Sequence, residues 1–249
     1  MQYKGTKYCG FCRQNNELTI EAELKKALAT LLKQEVSITV AGRTDAGVHA
    51  LGQVINFSSE RELDTYTIRY NLNAILPPDI QASNISAAVD DFDARHSATA
   101  RQYVYYLLSR RYPSVFNDDF CYHYPVELDL SLMKKAASYL AGEQNFKAFS
   151  AYNPQRKNFT RNVMVFELEK KSDFFDIADD EMIKITIKAN SFLYRMVRNI
   201  VGTLVEVGRG KIEPEEVKSI LKSQDRKKAA WVAPAKGLFL EKVFYDTDI

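Results

Sequence analysis

Cysteine is scarce in this 249-residue sequence, with Cys9, Cys12 and Cys121 making an odd number that argues against a disulfide framework. Long apolar runs are missing as well, and nothing approaches the roughly eighteen uninterrupted residues a membrane span needs. The opening segment MQYKGTKYCGF has no apolar core of the kind a secretory signal requires, so a cytoplasmic location is the default expectation. Excess charge of one sign is absent too. Lys and Arg number 34 against 32 Asp and Glu, leaving a formal net charge of +2. A general polyanion binder carries more than that, so any surface for nucleic acid must come from local clustering. There is no Gly-rich phosphate loop and no metal-ligand cluster.

The remaining composition, 46% hydrophobic and 27% charged, is that of an ordinary globular protein long enough for one large domain or two small ones. Cys9-Gly10-Phe11-Cys12 has the spacing of a redox dithiol or half a zinc site. A zinc site would need two further ligands from Cys121, His49, His96 and His123. A redox site should follow a strand and open a helix, whereas this one runs into Arg13-Gln14-Asn15-Asn16. Coincidence is the commoner origin of so short a motif, and neither metal nor cofactor is expected.

Thr19 reads as a helix cap, with Glu21 and Glu23 in the first turn and Ile20, Leu24, Ala27, Leu28 and Leu31 at helical spacing. Val36 to Val40 alternates and is β-branched, predicting a strand. Ala41 to Ala50, with two glycines, predicts a loop, followed by a strand over about 52–57. A helix over 66–76 stopped by Pro77-Pro78 and a strand within 80–89 complete the first half. The second half repeats the order: strand 101–109, helix 131–141, strands 162–169 and 182–189, helices 192–207 and 214–222, and a last strand 238–245. The fold class expected is α+β. Two ferredoxin-like lobes, residues 1–92 and 93–249, should share a continuous, mostly antiparallel sheet with helices on one side and a central catalytic cleft.

The most informative segment is Gly42-Arg43-Thr44-Asp45-Ala46-Gly47-Val48-His49-Ala50. An acid between two glycines on a loop joining two strands is well placed to project into a cleft. By local chemistry alone the commoner reading is an acid that stabilises a turn through its own backbone. Arg198 alone reads as a surface arginine, Tyr103 as a strand tyrosine with its ring in the core, and Leu238 as a core leucine.

The stretch from Ala41 to Ala50 resembles the catalytic loop of the TruA-type tRNA pseudouridine synthases. Five further segments resemble that family in the same order: Tyr3-Lys4-Gly5-Thr6 with Gly10-Phe11; Tyr70 to Pro77; Phe92-Asp93-Ala94-Arg95 with Arg101-Gln102-Tyr103; Phe192 to Gly202; and Ala233 to Leu238. There are departures. Lys4 stands where the family usually has Asp, Phe11 where it has Trp, and Asn145 where it commonly has Asp. The sequence also opens partway into the family's first strand, so the expectation is either that several residues are missing or that the edge strand is short.

The resemblance implies isomerisation of uridine to pseudouridine in the anticodon stem-loop of tRNA, at tRNA positions 38–40, with no cofactor. Asp45 would be the catalytic carboxylate. Tyr103 would stack under the uracil and help remove the proton from ring carbon five, and Arg198 would keep Asp45 ionised. Arg43 and Leu238 would bind the substrate, one at phosphate or sugar and the other on the second face of the base. Lys25, Lys26, Lys33, Arg110, Arg111, Arg156, Lys157, Arg161, Lys227 and Lys228 are candidate phosphate contacts. Gly202, one turn beyond Arg198, would allow another backbone to approach closely. A homodimer is implied, with no membrane and no DNA partner. The alternatives are a synthase acting on other RNA uridines and a catalytically silent tRNA-binding protein.

Overall fold

The computed structural model describes residues 1–152, 157–172 and 182–246. In chain order its first elements are β1 (Gln2–Tyr3), α1 (Ile20–Leu32), β2 (Thr39–Val40), β3 (His49–Ala50), β4 (Ile55–Asn56), α2 (Thr65–Ile75) and β5 (Ile80–Gln81). There follow β6 (Ala98–Ser109), β7 (Tyr122–Tyr124), α3 (Leu130–Ser138), β8 (Gly142–Asn145), β9 (Thr160–Lys171) and β10 (Met182–Ala189). The last are α4 (Met196–Gly208), α5 (Glu216–Ser223) and β11 (Leu238–Tyr245). The architecture is mixed α/β, with mostly antiparallel strand pairs and five α-helices among the described residues. No helix among those residues is long and apolar enough to cross a membrane.

Two compact units result. One comprises Met1–Arg101 with Phe239–Ile249, and the other Gln102–Leu238. The sequence pattern places a single cut at 92/93, whereas the compact units return the last strand to the first of them.

In the first unit the strand order is β5-β1-β3-β11. β1 lies antiparallel to both neighbours, with Tyr3 opposite Ile80 and Ala50, while β11 runs parallel to β3 with Phe239 opposite His49. β2 and β4 form a separate antiparallel pair. Helix α1 starts where the sequence indicates: the Thr19 hydroxyl accepts from Ala22 N at 3.3 Å, capping the helix. Its buried stripe is Ile20, Leu24, Ala27 and Leu28. Asp64 caps α2 by accepting from Thr67 N at 2.8 Å, and the helix ends one residue before Leu76. The latter is held extended (φ −62°, ψ 147°), as a residue preceding proline should be. The expected strand over 36–40 shrinks to Thr39–Val40, because its partner β4 offers only two residues to pair with. The expected loop 41–50 gives up its last two residues to β3.

In the second unit the order is β6-β10-β9-β8, with β7 parallel to the outer half of β6. β9 and β10 form a long antiparallel pair whose register shifts between Lys188 and Ala189. β10 is buried along almost its whole length, and α3 packs against both α4 and β9. Helix α4 begins at Met196 and not at Phe192, because Arg195 adopts the left-handed region (φ 58°) and breaks the helical path. Tyr194 therefore precedes the helix and does not share a helical face with Arg198.

Candidate catalytic residues

Asp45 lies in the first unit, on the connection from β2 to β3, and is half-buried. Its backbone closes a turn in which Val48 N donates to Asp45 O at 3.1 Å. Gly47 supplies the positive φ (76°) that the third position of such a turn requires. The flanks are held from several directions. Phe11 N donates to Thr44 O at 3.1 Å and Gly47 N to Tyr8 O at 3.2 Å. The Tyr3 and Thr44 hydroxyls lie 2.8 Å apart. Gln53 Nε2 donates to Gly42 O at 2.7 Å and to the Tyr3 hydroxyl at 3.2 Å. Arg101, itself buried, donates through Nε and a terminal nitrogen to Ala41 O at 3.2 and 2.9 Å.

The approach of the segment around Gly10 also depends on glycine. Gly10 takes φ 92°, and a Cβ there would stand 2.7 Å from Thr44 O. The loop is thus fixed on both sides of Asp45 by buried groups, the arrangement that holds a reactive side chain in one orientation. Arg43, two residues earlier, is exposed.

Tyr103, Arg198 and Leu238 belong to the second unit. Tyr103 is buried on β6 and meets the Phe192 ring edge-on at 5.0 Å. Arg198 occupies the third position of α4 and is half-buried. Its Nε donates to Ala233 O at 2.7 Å, and Ala233 N donates back to Arg198 O at 3.0 Å. One turn on, Gly202 has no side chain because the Trp231 carbonyl occupies the space a Cβ would need. The close backbone approach expected at Gly202 is thus observed, and its partner is the segment that holds Arg198.

The same segment continues to Leu238, which is buried at the head of β11. Tyr105 donates its hydroxyl to Pro234 O at 2.9 Å, and a Cβ at Gly237 would stand 2.7 Å from Tyr106 O. Residues 231–238 are therefore fastened to α4 at one end and to β6 at the other. Asn199 reinforces the α4 end. Fully buried, it donates to Phe149 O at 2.6 Å and accepts from Arg226 at 2.8 Å. Gln53 and Arg226 carry no local signal for these bonds, which join residues 11 and 27 positions apart.

The remaining candidates fall out differently. His49 accepts at Nδ1 from Gly5 N at 3.0 Å and stacks on Phe239 at 4.6 Å, so its ring is neutral and built into the sheet. His96 pairs with Asp93, and His123 Nε2 bonds Arg110 O. Cys9 donates to Glu17 at 2.9 Å, a bond that raises its pKa, and burial raises that of Cys12. Raised values favour the thiol over the nucleophilic thiolate. Among the described residues no group of three His, Cys, Asp or Glu could hold a metal ion. Lys26, Lys33, Arg111, Lys157, Lys227 and Lys228 are exposed, as phosphate contacts must be. Lys25 pairs with Glu21 at 2.8 Å. Arg161 is buried and donates to the backbone carbonyls of Asn158 and Thr160, which assigns it a structural role. Arg156 lies outside the described residues.

A family model described as tRNA pseudouridine synthase matches residues 1–97 and 136–246. The chain belongs to the tRNA pseudouridine synthase family. It is 42% identical over 245 residues to a protein of Thermoanaerobacter sp. (strain X514) named tRNA pseudouridine synthase A, covering 98% of this chain and 97% of that one. A protein of the same name from Bacillus subtilis (strain 168) is 40% identical over 248 residues, covering 99% and 97%. One from Vibrio campbellii is 40% identical over 248 residues, covering 98% and 90%. For this family member, Arg43, Asp45, Arg198 and Leu238 fall within the matched residues, and Tyr103 falls between the two matched stretches.

Proposed function

We propose that this protein is an isomerase that converts uridine to pseudouridine in tRNA, and that its target lies in the anticodon stem-loop at positions 38–40. The observation that carries the reading is the family match over residues 1–97 and 136–246. The stem-loop target rests on the resemblance of the Ala41–Ala50 loop and the five segments ordered with it.

The atom balance explains why a few side chains suffice. The bond from ring nitrogen to sugar breaks, the base turns, and the sugar carbon joins ring carbon five. The proton displaced from that carbon leaves and ring nitrogen gains one, so nothing is oxidised and no group is acquired. Asp45 is the proposed carboxylate, acting as nucleophile or as stabiliser of an oxocarbenium-like sugar, as carboxylates do in glycosidases. Tyr103 is proposed to stack on the uracil and assist proton removal, and Leu238 to pack on the base. Arg198 is proposed as the third catalytic residue beside Asp45 and Tyr103. Arg43 is proposed to bind phosphate or sugar as the nucleotide is extruded, a step costing a few kcal/mol and less in a loop than in a stem. A homodimer acting in the cytoplasm completes the proposal, with neither DNA nor a membrane as partner.

The test is incubation with unmodified tRNA followed by mapping of pseudouridine to individual positions. Modification at 38–40 is the expected result. Modification elsewhere would move the substrate choice to other uridines, and tight binding without any modification would make the protein a silent tRNA binder.

A further inference from the structure

The outward face of α2 carries chemistry that the isomerisation does not use. Tyr66 and Tyr70 are 68% and 70% exposed, on a helix whose buried side is Ile68 and Leu72. Their spacing of four places them side by side on the helix surface, one turn apart. Between them Arg69 sets its guanidinium 5.8 Å from the Tyr66 ring centroid, within cation–π range. Together with Asn73 and Ala74 these residues line a shallow, open groove of about 370 Å³. The Asn73 amide is already committed, donating to Ala82 O at 3.0 Å and accepting from Ala82 N at 2.8 Å. What the groove offers a ligand is two aromatic rings, their hydroxyls and a cation.

We propose that this face is a second RNA contact, a stacking platform for unpaired nucleobases of the tRNA substrate with Arg69 holding the phosphate beside them. The proposal rests on tRNA being the substrate. The pattern favours RNA over a protein partner on two grounds. Arg69 is the only charged residue within α2, and the one acid at the helix, Asp64, has its carboxylate engaged as the N-cap with Thr67 N at 2.8 Å. Its exposed apolar surface is flat tyrosine and not branched aliphatic, and rings beside a cation are the elements with which single-stranded nucleic acid is held irrespective of sequence. Such a contact lies apart from the Asp45 loop in the sequence and would add affinity for a whole tRNA.

The experiment measures equilibrium binding of full-length unmodified tRNA at several salt concentrations, with oligomeric state followed by sedimentation. Changing both Tyr66→Ala and Tyr70→Ala should weaken binding roughly 5- to 100-fold, while Tyr66→Phe with Tyr70→Phe should restore it, since the ring does the stacking. Arg69→Gln should weaken binding and reduce the salt slope by about one. In turnover assays the alanine pair should raise KM and not lower kcat. Unchanged affinity in the alanine pair overturns the platform. So does a loss that tracks dissociation of an oligomer, which would assign the face to a second copy of the chain. If the wild-type protein forms no pseudouridine while the alanine pair still binds tRNA more weakly than wild type, the activity reading fails and the platform stands.

Discussion

Arg198 and Ala233, 35 residues apart, hold each other twice: the arginine Nε donates to the alanine carbonyl at 2.7 Å, and the alanine N–H donates to the arginine carbonyl at 3.0 Å. A guanidinium anchored to backbone points in one direction at little further entropic cost, which is what a preorganised cation requires. The anchor depends in turn on Gly202, since only a residue without Cβ lets the chain around Trp231 approach α4.

Gly202→Ala should therefore act on stability and rate together. The added methyl overlaps the Trp231 carbonyl and must push residues 231–234 away, a strain of about 1–3 kcal/mol in urea unfolding. With Ala233 displaced, Arg198 loses its brace, and pseudouridine formation at saturating tRNA should fall on the order of tenfold. Wild-type stability and rate in this variant would show that the segment moves without consequence.

Asp45→Asn should abolish turnover while leaving tRNA affinity within about tenfold, because carboxylate chemistry and phosphate contact are separate tasks. The turn itself uses the Asp45 main-chain carbonyl, which the substitution leaves in place. Substantial pseudouridine formation by this variant would remove Asp45 from the centre of the mechanism.

Alkaline pH should loosen the first unit in a defined window. Burial pushes the Tyr3 hydroxyl from its ordinary 10.0 up to about 12, against the opposing hydrogen bonds from Thr44 and Gln53, and burial does the same to Tyr245. Both groups hold their protons more tightly folded than unfolded. Their contribution is complete below about pH 10 and is lost as pH rises through about 12. Denaturant midpoints measured across that interval should fall steadily, and Tyr245→Phe should flatten the decline. At neutral pH the same variant loses the bond to Ala94 O, at a cost of about 1 kcal/mol. A flat midpoint in the wild-type protein between pH 10 and 12 would contradict this assignment.

Cys9→Ser combined with Cys12→Ser should keep near-normal activity, since both thiols have raised pKa values and Cys9 is engaged with Glu17. Elemental analysis of the purified protein should find no stoichiometric zinc. Loss of activity in the double variant, or inhibition by a chelator, would restore a functional role to this pair.

Much of the framework can be read locally. Thr19, Asp64 and the Leu76-Pro77 stop set the ends of α1 and α2, and β10 and β11 follow their apolar patterns residue for residue. Caps, proline and periodicity work within a few residues, so the chain carries that information in place. The proposed site residues are indicated only by the resemblance of six ordered segments, because an acid beside glycine by itself reads more readily as a turn. Tertiary structure alone decided what supports them. β3 forms because β1 and β11 flank it, and β2 is short because β4 is. Tyr3, Gln53 and Arg101 fasten the Asp45 loop, and Ala233 steers Arg198. Each of these contacts joins residues 11 to 60 positions apart in the chain. Pairing over such distances depends on which backbone groups the folded chain brings within hydrogen-bond reach, and no local pattern of residues encodes that.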